Sequence, residues 1–283
     1  MYILAIESSG NVASVAIAGK EKILAEYTVN IGKTHSQTLL PMIDRVLGDA
    51  EMSVNDMSAI AISRGPGSFT GLRIGSATAK GLAASAEIPI VDVPTLEALA
   101  VGVGNAGGRL ICPVIDARRN EVYTALYEEA VGEDTGCGCE DKDGCTAPKN
   151  DDRTESGNVK HGDAAENSGK NVTVTRSGLL RRIGEERALS MEALLEELSG
   201  MNREIIFVGD ALRVHGDKIK AVGNGKFILA PFSAHDLRAG CVASVGLAML
   251  ESGKAVEGSE HTPVYLRLSS AERERLEQGK PLG

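Results

Sequence analysis

The chain has 283 residues, 42% of them hydrophobic, which suits one large domain or two lobes of ordinary size and excludes global disorder. A formal net charge of −9, no tryptophan and 3% aromatic residues argue against a protein that grips a phosphate backbone or stacks bases unaided. No apolar run approaches the ~20 residues of a bilayer span, and MYILAIESSG turns polar too soon for a signal peptide, so a soluble cytoplasmic protein is expected.

Ile3–Ile6 reads as a buried strand ending in Glu7-Ser8-Ser9-Gly10. Val12–Ala18 and Ile23–Val29 complete an antiparallel meander. Leu39, Leu40, Ile43, Val46 and Leu47 share one face of a helix over 34–48, which Pro41 is expected to start or kink. Ala59–Ser63 is a strand running into RGPGSFTGLRIGSATAKGLAASAEIP, a Gly/Pro loop that opens a helix. Pro89–Val93 returns as a strand, and Thr95 starts a helix capped by its own hydroxyl. These elements form an N-terminal lobe over 1–106. A C-terminal lobe over 107–232 follows, with strands Arg109–Ile115 and Glu121–Tyr127 joined by the tip DARRN. An acidic insertion over about 129–170 interrupts it: Glu128 to Lys170 carry twelve acidic and five basic residues, which leaves the rest of the chain near −2. Strand Asn171–Thr175, helix Ser190–Leu198 and strand Glu204–Val208 come next. Ser233 and Asp236 make a capping box for a helix over about 233–252, expected to pack on the N-terminal lobe. An exposed tail over 253–283 ends the chain, with Ser269 and Glu272 capping a charged helix.

Several stretches bear on chemistry. Gly65, Gly67 and Ser68 lie in a Gly-rich turn feeding a helix N-terminus, a place suited to an anion or simply to a tight turn. Neither a Walker loop nor a dinucleotide fingerprint fits it. Gly71, Gly75, Ala79 and Ala83 recur every four residues, a bare stripe that lets a second helix approach, within the molecule or from another subunit. His35 lacks a second histidine at helical spacing and reads as a capping or surface residue. Cys137, Cys139 and Cys145 lack paired metal spacing, and Cys112 and Cys241 read as buried thiols. Glu7, Ser8 and Ser9 close the first strand, where Glu7 is either a base, a metal anchor or a hydrogen-bond acceptor. Arg118 and Arg119 crowd a hairpin tip beside Asp116, and Gly209–Asp210 form a second candidate ligand loop. No catalytic or metal constellation emerges.

Taken together, ILAIESSGNVASVAI (3–17), THSQTLLPMID (34–44), SRGPGSFTGLRIGSATAKGLA (63–83), PTLEALA (94–100), IDARRNEVYTALY (115–127) and PVYLR…AERERL (263–276) resemble the TsaB (YeaZ) family of the tRNA threonylcarbamoyladenosine machinery. They run in family order over nearly the whole chain; the insertion is a departure. The resemblance implies an α/β, two-lobed actin/Hsp70/sugar-kinase-like fold. It also implies a non-catalytic partner of TsaD, the subunit that moves the threonylcarbamoyl group from threonylcarbamoyl-AMP to N6 of the adenosine 3′ to the anticodon in tRNAs reading ANN codons. TsaE would complete the complex, tRNA would be met indirectly, and the chain alone would pair with itself. The contact would use the helices over 34–48 and 71–86, through His35, Leu39, Leu40, Ile43, Gly71, Leu72, Gly75, Ala79 and Ala83. No cofactor of its own is implied, and a nucleotide at the partner boundary is left open. TsaD carries a His-x-Glu-x-His-type segment that holds its metal; here Thr95 and Leu99 stand in the histidine places around Glu97. The alternative is a stand-alone actin-like ATPase or sugar kinase using the cleft between lobes.

Overall fold

The computed structural model describes residues 1–130, 172–175 and 177–267. Strands β1 (Tyr2–Glu7), β2 (Ala13–Gly19) and β3 (Ile23–Val29) form the meander. Helix α1 (His35–Asp49) leads to β4 (Ala59–Gly65), α2 (Phe69–Ala86), β5 (Ile90–Pro94) and α3 (Thr95–Val101). β4 and β5 run parallel to β1, so the sheet order is β3-β2-β1-β4-β5. The plan then repeats. β6 (Leu110–Asp116), β7 (Glu121–Glu129) and β9 (Leu180–Ser190) form a second meander, with β8 (Val172–Val174) added at its edge. After α4 (Met191–Ser199), β10 (Ile205–Val208), α5 (Leu212–Gly223) and β11 (Phe227–Leu229) extend the sheet in parallel, to the order β11-β10-β6-β7-β9-β8. Two lobes built on one strand order give the expected two-lobed α/β architecture.

Side-chain size sorts the faces of the first sheet. Leu4, Ile6, Val15, Ile17, Ile60 and Ile62 point to α1 and α2. Ala5, Ala16, Ala18, Ala59 and Ala61 point the other way, where α6 (Ala239–Glu251) lies. The alanine face lets this helix come close: a Cβ on Gly246 would lie 2.6 Å from that of Ala61. In the second lobe α4 and α5 cover one face, and α3 covers the other through Leu96, Leu99 and Ala100. The two halves therefore exchange helices. α3, which follows the first sheet, packs on the second, while α6 follows the second and packs on the first, and the two touch.

Several local expectations are overturned. No capping box forms at Ser233 and Asp236: a 3-10 turn spans Phe232–Ala234 and α6 begins at Ala239. Asp236 is held instead by both Arg213 guanidinium nitrogens, and the free α6 amides are capped from the first sheet. The Ala239 N–H donates to Ser14 Oγ at 3.0 Å and that of Gly240 to Glu26 Oε1 at 2.7 Å. Thr95 does not cap α3; Pro94 takes that position, and the Thr95 hydroxyl accepts from the Gly65 N–H at 3.0 Å. α1 begins at His35, ahead of Pro41, so the proline does not start it. Residues 253–267 are not simply an exposed tail, since His261 is buried against Asp92. The cysteines of the insertion and the expected Ser269–Glu272 cap lie outside the described residues. Among the described residues no helix is long and apolar enough to cross a membrane.

Candidate functional site

Four loops from the two sheets meet at a cleft of about 230 Å³. The first lobe supplies Ser9, Gly10 and Asn11 from the β1–β2 turn, and Gly67, Ser68 and Phe69 from the head of α2. The second supplies Asp116 to Arg119 from the β6–β7 turn, and Asp210 from the end of β10. Ser9, Gly67, Ser68, Arg118, Arg119 and Asp210, singled out from separate stretches of sequence, thus line one space. Glu7 lies beneath it, in a pocket of about 20 Å³ with Thr95, Leu99 and Asp210, room for about one water.

The first-lobe wall is held tightly. Ser9 donates both its N–H (2.6 Å) and its hydroxyl (2.5 Å) to Glu7 Oε1. Its carbonyl accepts the Ser68 N–H at 2.6 Å. A Cβ on Gly67 would lie 2.4 Å from that carbonyl oxygen, so glycine is required for the approach. The Ser68 hydroxyl caps α2 by accepting from the Gly71 N–H. Of the amides that could greet an anion, Ser68's is therefore already engaged. Burial pushes the Glu7 carboxyl up, against the lowering hydrogen bonds of the Ser9 and Ser63 hydroxyls.

The second-lobe wall is more exposed. Arg118, Arg119 and Asn120 all have left-handed backbones, with φ of 65°, 55° and 63°. Asp116 Oδ1 accepts the Arg118 N–H at 2.8 Å, and Asp210 Oδ1 accepts the Asp116 N–H at 2.9 Å. Burial raises the Asp210 carboxyl, and the neighbouring carboxylates of Asp116 and Asp236 push it the same way. Gly209 has φ +131°, and its missing Cβ would sit 2.1 Å from the Val114 carbonyl oxygen. Arg118 reaches across to Asn11 Oδ1 at 3.5 Å. Guanidinium groups facing carboxylates, in a space this size, suit a small polar ligand. The sequence reading passed over Asn11, Tyr265 and Arg267 of this lining; only the match of PVYLR to a family motif signalled the last two.

The interface residues expected on α1 and α2 are mostly inside the molecule. Leu39, Ile43, Leu72, Ala79 and Ala83 are buried in the core. His35 is buried, and its Nε2 donates to the Gly10 carbonyl at 3.0 Å, so it braces the cleft turn instead of capping or lying on the surface. The bare stripe faces inward: a Cβ on Gly71 would meet Ser8 O at 2.1 Å, and one on Gly75 would meet Ser8 Oγ at 2.0 Å. Leu40, expected on the apolar face, is 56% exposed. The outer face of α2 carries Ala77, Gly81 and Ala84, another set of small residues. Among the described residues no group of three or more His, Cys, Asp or Glu could hold a metal ion.

A sequence profile for the family described as "TsaD: tRNA N6-adenosine threonylcarbamoyltransferase" matches residues 22–150. The tRNA threonylcarbamoyladenosine biosynthesis protein TsaB of Bacillus subtilis is 29% identical over 280 residues, covering 99% of this chain and all of that protein. The Escherichia coli protein of the same name is 40% identical over 129 residues, 45% of this chain and 55% of its own length. That of Haemophilus influenzae is 36% identical over 140 residues, 48% of this chain and 58% of its own. Two solved structures of Pseudomonas aeruginosa, one titled as similar to peptidase YeaZ and one as YeaZ, superpose with TM-scores of 0.65 and 0.63. They are 24% and 22% identical, cover 94% of this chain and 99% of their own, and share its fold. The resemblance to the TsaB (YeaZ) proteins is borne out along the length of the chain.

Proposed function

We propose that this relative of the TsaB proteins works in the cytoplasm in the biosynthesis of threonylcarbamoyladenosine in tRNA, as a non-catalytic subunit that binds TsaD and enables it to transfer the threonylcarbamoyl group. The observation that carries the non-catalytic reading is the use made of the head of α3. In the two places where TsaD-type sequences carry metal-binding histidines, the Thr95 hydroxyl is engaged by the Gly65 N–H and Leu99 is buried. Glu97 between them is buried too and accepts hydrogen bonds from the Ser177 N–H and hydroxyl. These positions serve packing and loop anchoring, and a leucine side chain offers a cation nothing.

The docking surface is the outward side of the α1–α2 pair, with Leu40 on one helix and Ala77, Gly81 and Ala84 on the other. Side chains this small allow a partner helix to approach closely, while the buried stripe behind them keeps α2 firmly seated. Reconstitution tests the reading: TsaD, TsaE, threonylcarbamoyl-AMP and tRNA are combined with and without this chain. Modification only when the chain is present is the expected result. Full modification in its absence, or modification by this chain without TsaD, overturns it.

A further inference from the structure

After α6 the chain returns over the first lobe and is pinned to it three times. Val256 exchanges backbone hydrogen bonds with Ile90 at 2.8 and 2.9 Å, along the edge of β5. His261, 1% exposed, pairs through Nδ1 with Asp92 Oδ1 at 2.5 Å. The Val264 N–H donates to the Arg64 carbonyl at 2.7 Å, and its own carbonyl oxygen would lie 2.3 Å from a Cβ on Gly65. Immediately beyond this last anchor the chain passes along the head of α2. The Tyr265 ring lies 4.6 Å from that of Phe69 at the head of α2, and its hydroxyl accepts from Arg73 Nε at 3.4 Å. Arg73 in turn stacks its guanidinium 3.9 Å from the centre of the Phe69 ring. Two residues later Arg267 reaches the second lobe. It donates to the Ala117 carbonyl at 3.2 Å and forms an ion pair with Glu121, leaving its side chain only 16% exposed.

The contact falls on an unusual piece of backbone. Ala117 and Glu121 flank the three consecutive left-handed residues 118–120. Such a run of non-glycine residues persists only where surrounding contacts hold it. Asp116 holds it from one side and Arg267 from the other. Tyr265, Leu266 and Arg267 also line the cleft.

We propose that residues 265–267 are a strap closed across the cleft, with Arg267 as its latch. The strap ties the β6–β7 turn to the first lobe, fixes the left-handed conformation of that turn, and restricts entry to the cleft. Unlatching frees the turn and opens the cleft while the anchors at Val256, His261 and Val264 hold the rest of the segment in place.

Hydrogen exchange of the full chain tests it, comparing the unaltered protein with Arg267→Ala, Arg267→Lys and Glu121→Gln. Arg267→Ala is expected to speed exchange in 117–121 and 9–11 by about tenfold, the size of a lost charge-assisted hydrogen bond, with β1 and β4 unchanged. Arg267→Lys, which keeps the charge, is expected to recover part of the protection. Rates in the two loops that do not change, or that rise equally throughout the molecule, overturn the strap. Should Arg267→Ala fail to fold, Glu121→Gln decides alone, because it removes the latch from the other lobe: a rise confined to the same loops supports the strap, and unchanged rates overturn it.

Discussion

At the scale of single residues, Gly75 and Gly81 on α2 look alike in sequence and differ wholly in surroundings. A Cβ on Gly75 would stand 2.0 Å from Ser8 Oγ, whereas one on Gly81 meets nothing within 4 Å. Gly75→Ala is therefore expected to destabilise the fold by about 1–3 kcal/mol through overpacking. Gly81→Ala should stabilise it by about 0.5–1 kcal/mol through helix propensity. Urea midpoints of the two variants check both signs. Glu7 gives a pH dependence. Burial raises its folded pKa above the ordinary 4.5, so the folded state binds the extra proton and stability falls as pH climbs from about 4.5 through the raised value. Glu7→Gln keeps an acceptor for Ser9 and removes the titration. Its stability relative to the unaltered protein should grow between pH 4.5 and pH 8; a constant difference in urea midpoint across that range would count against a raised Glu7. Glu186 and Asp210, also raised by burial, give the remaining protein a slope of the same sign.

At the scale of elements, helices capped from nearby are legible and the helix capped from afar is not. Ser190 starts α4 and accepts the Ala193 N–H, a bond between residues three apart that sequence patterns register. For α6 the acceptors are Ser14 and Glu26, 225 and 214 positions from the amides they satisfy. Ser14→Ala should cost about 1 kcal/mol, as lost caps do, even though it lies in a strand far away in sequence. Thermal unfolding of the variant measures this, and an unaltered midpoint would mean the Ala239 amide finds another acceptor. The fate of the small-residue stripe on α2 follows the same logic. Its spacing of four announces a close approach but not the approaching body, which is the β1–β2 turn with Ser8 and His35.

At the scale of the whole molecule, the two lobes share one strand order and are joined by the exchange of α3 and α6, while residues 265–267 run from the head of α2 to the β6–β7 turn along the cleft. The inward stripe and the outward face of α2 then have separate uses, and each can be perturbed alone. Gly81→Arg or Leu40→Glu should weaken co-purification with TsaD by tenfold or more and leave the melting temperature nearly unchanged, because both positions face solvent in the isolated chain. Undiminished co-purification would move the docking surface elsewhere.

The amino-acid sequence by itself laid out the strands and helices of the first lobe, a second α/β unit after it and the resemblance to TsaB proteins, but β9, α5 and β11 of the second lobe were not read from it. Runs such as ILAIE and AIAIS are apolar on both faces, and the Gly-rich turn has one local solution. It also marked six of the cleft residues, Ser9, Gly67, Ser68, Arg118, Arg119 and Asp210, since turns carry their own chemistry in their residue types. Only the tertiary structure decided that these turns converge, which side of α2 is free, and that His35, Thr95 and His261 are buried braces. Each of those outcomes depends on what lies across a gap of many residues, and a periodic pattern fixes a face without naming the surface that covers it.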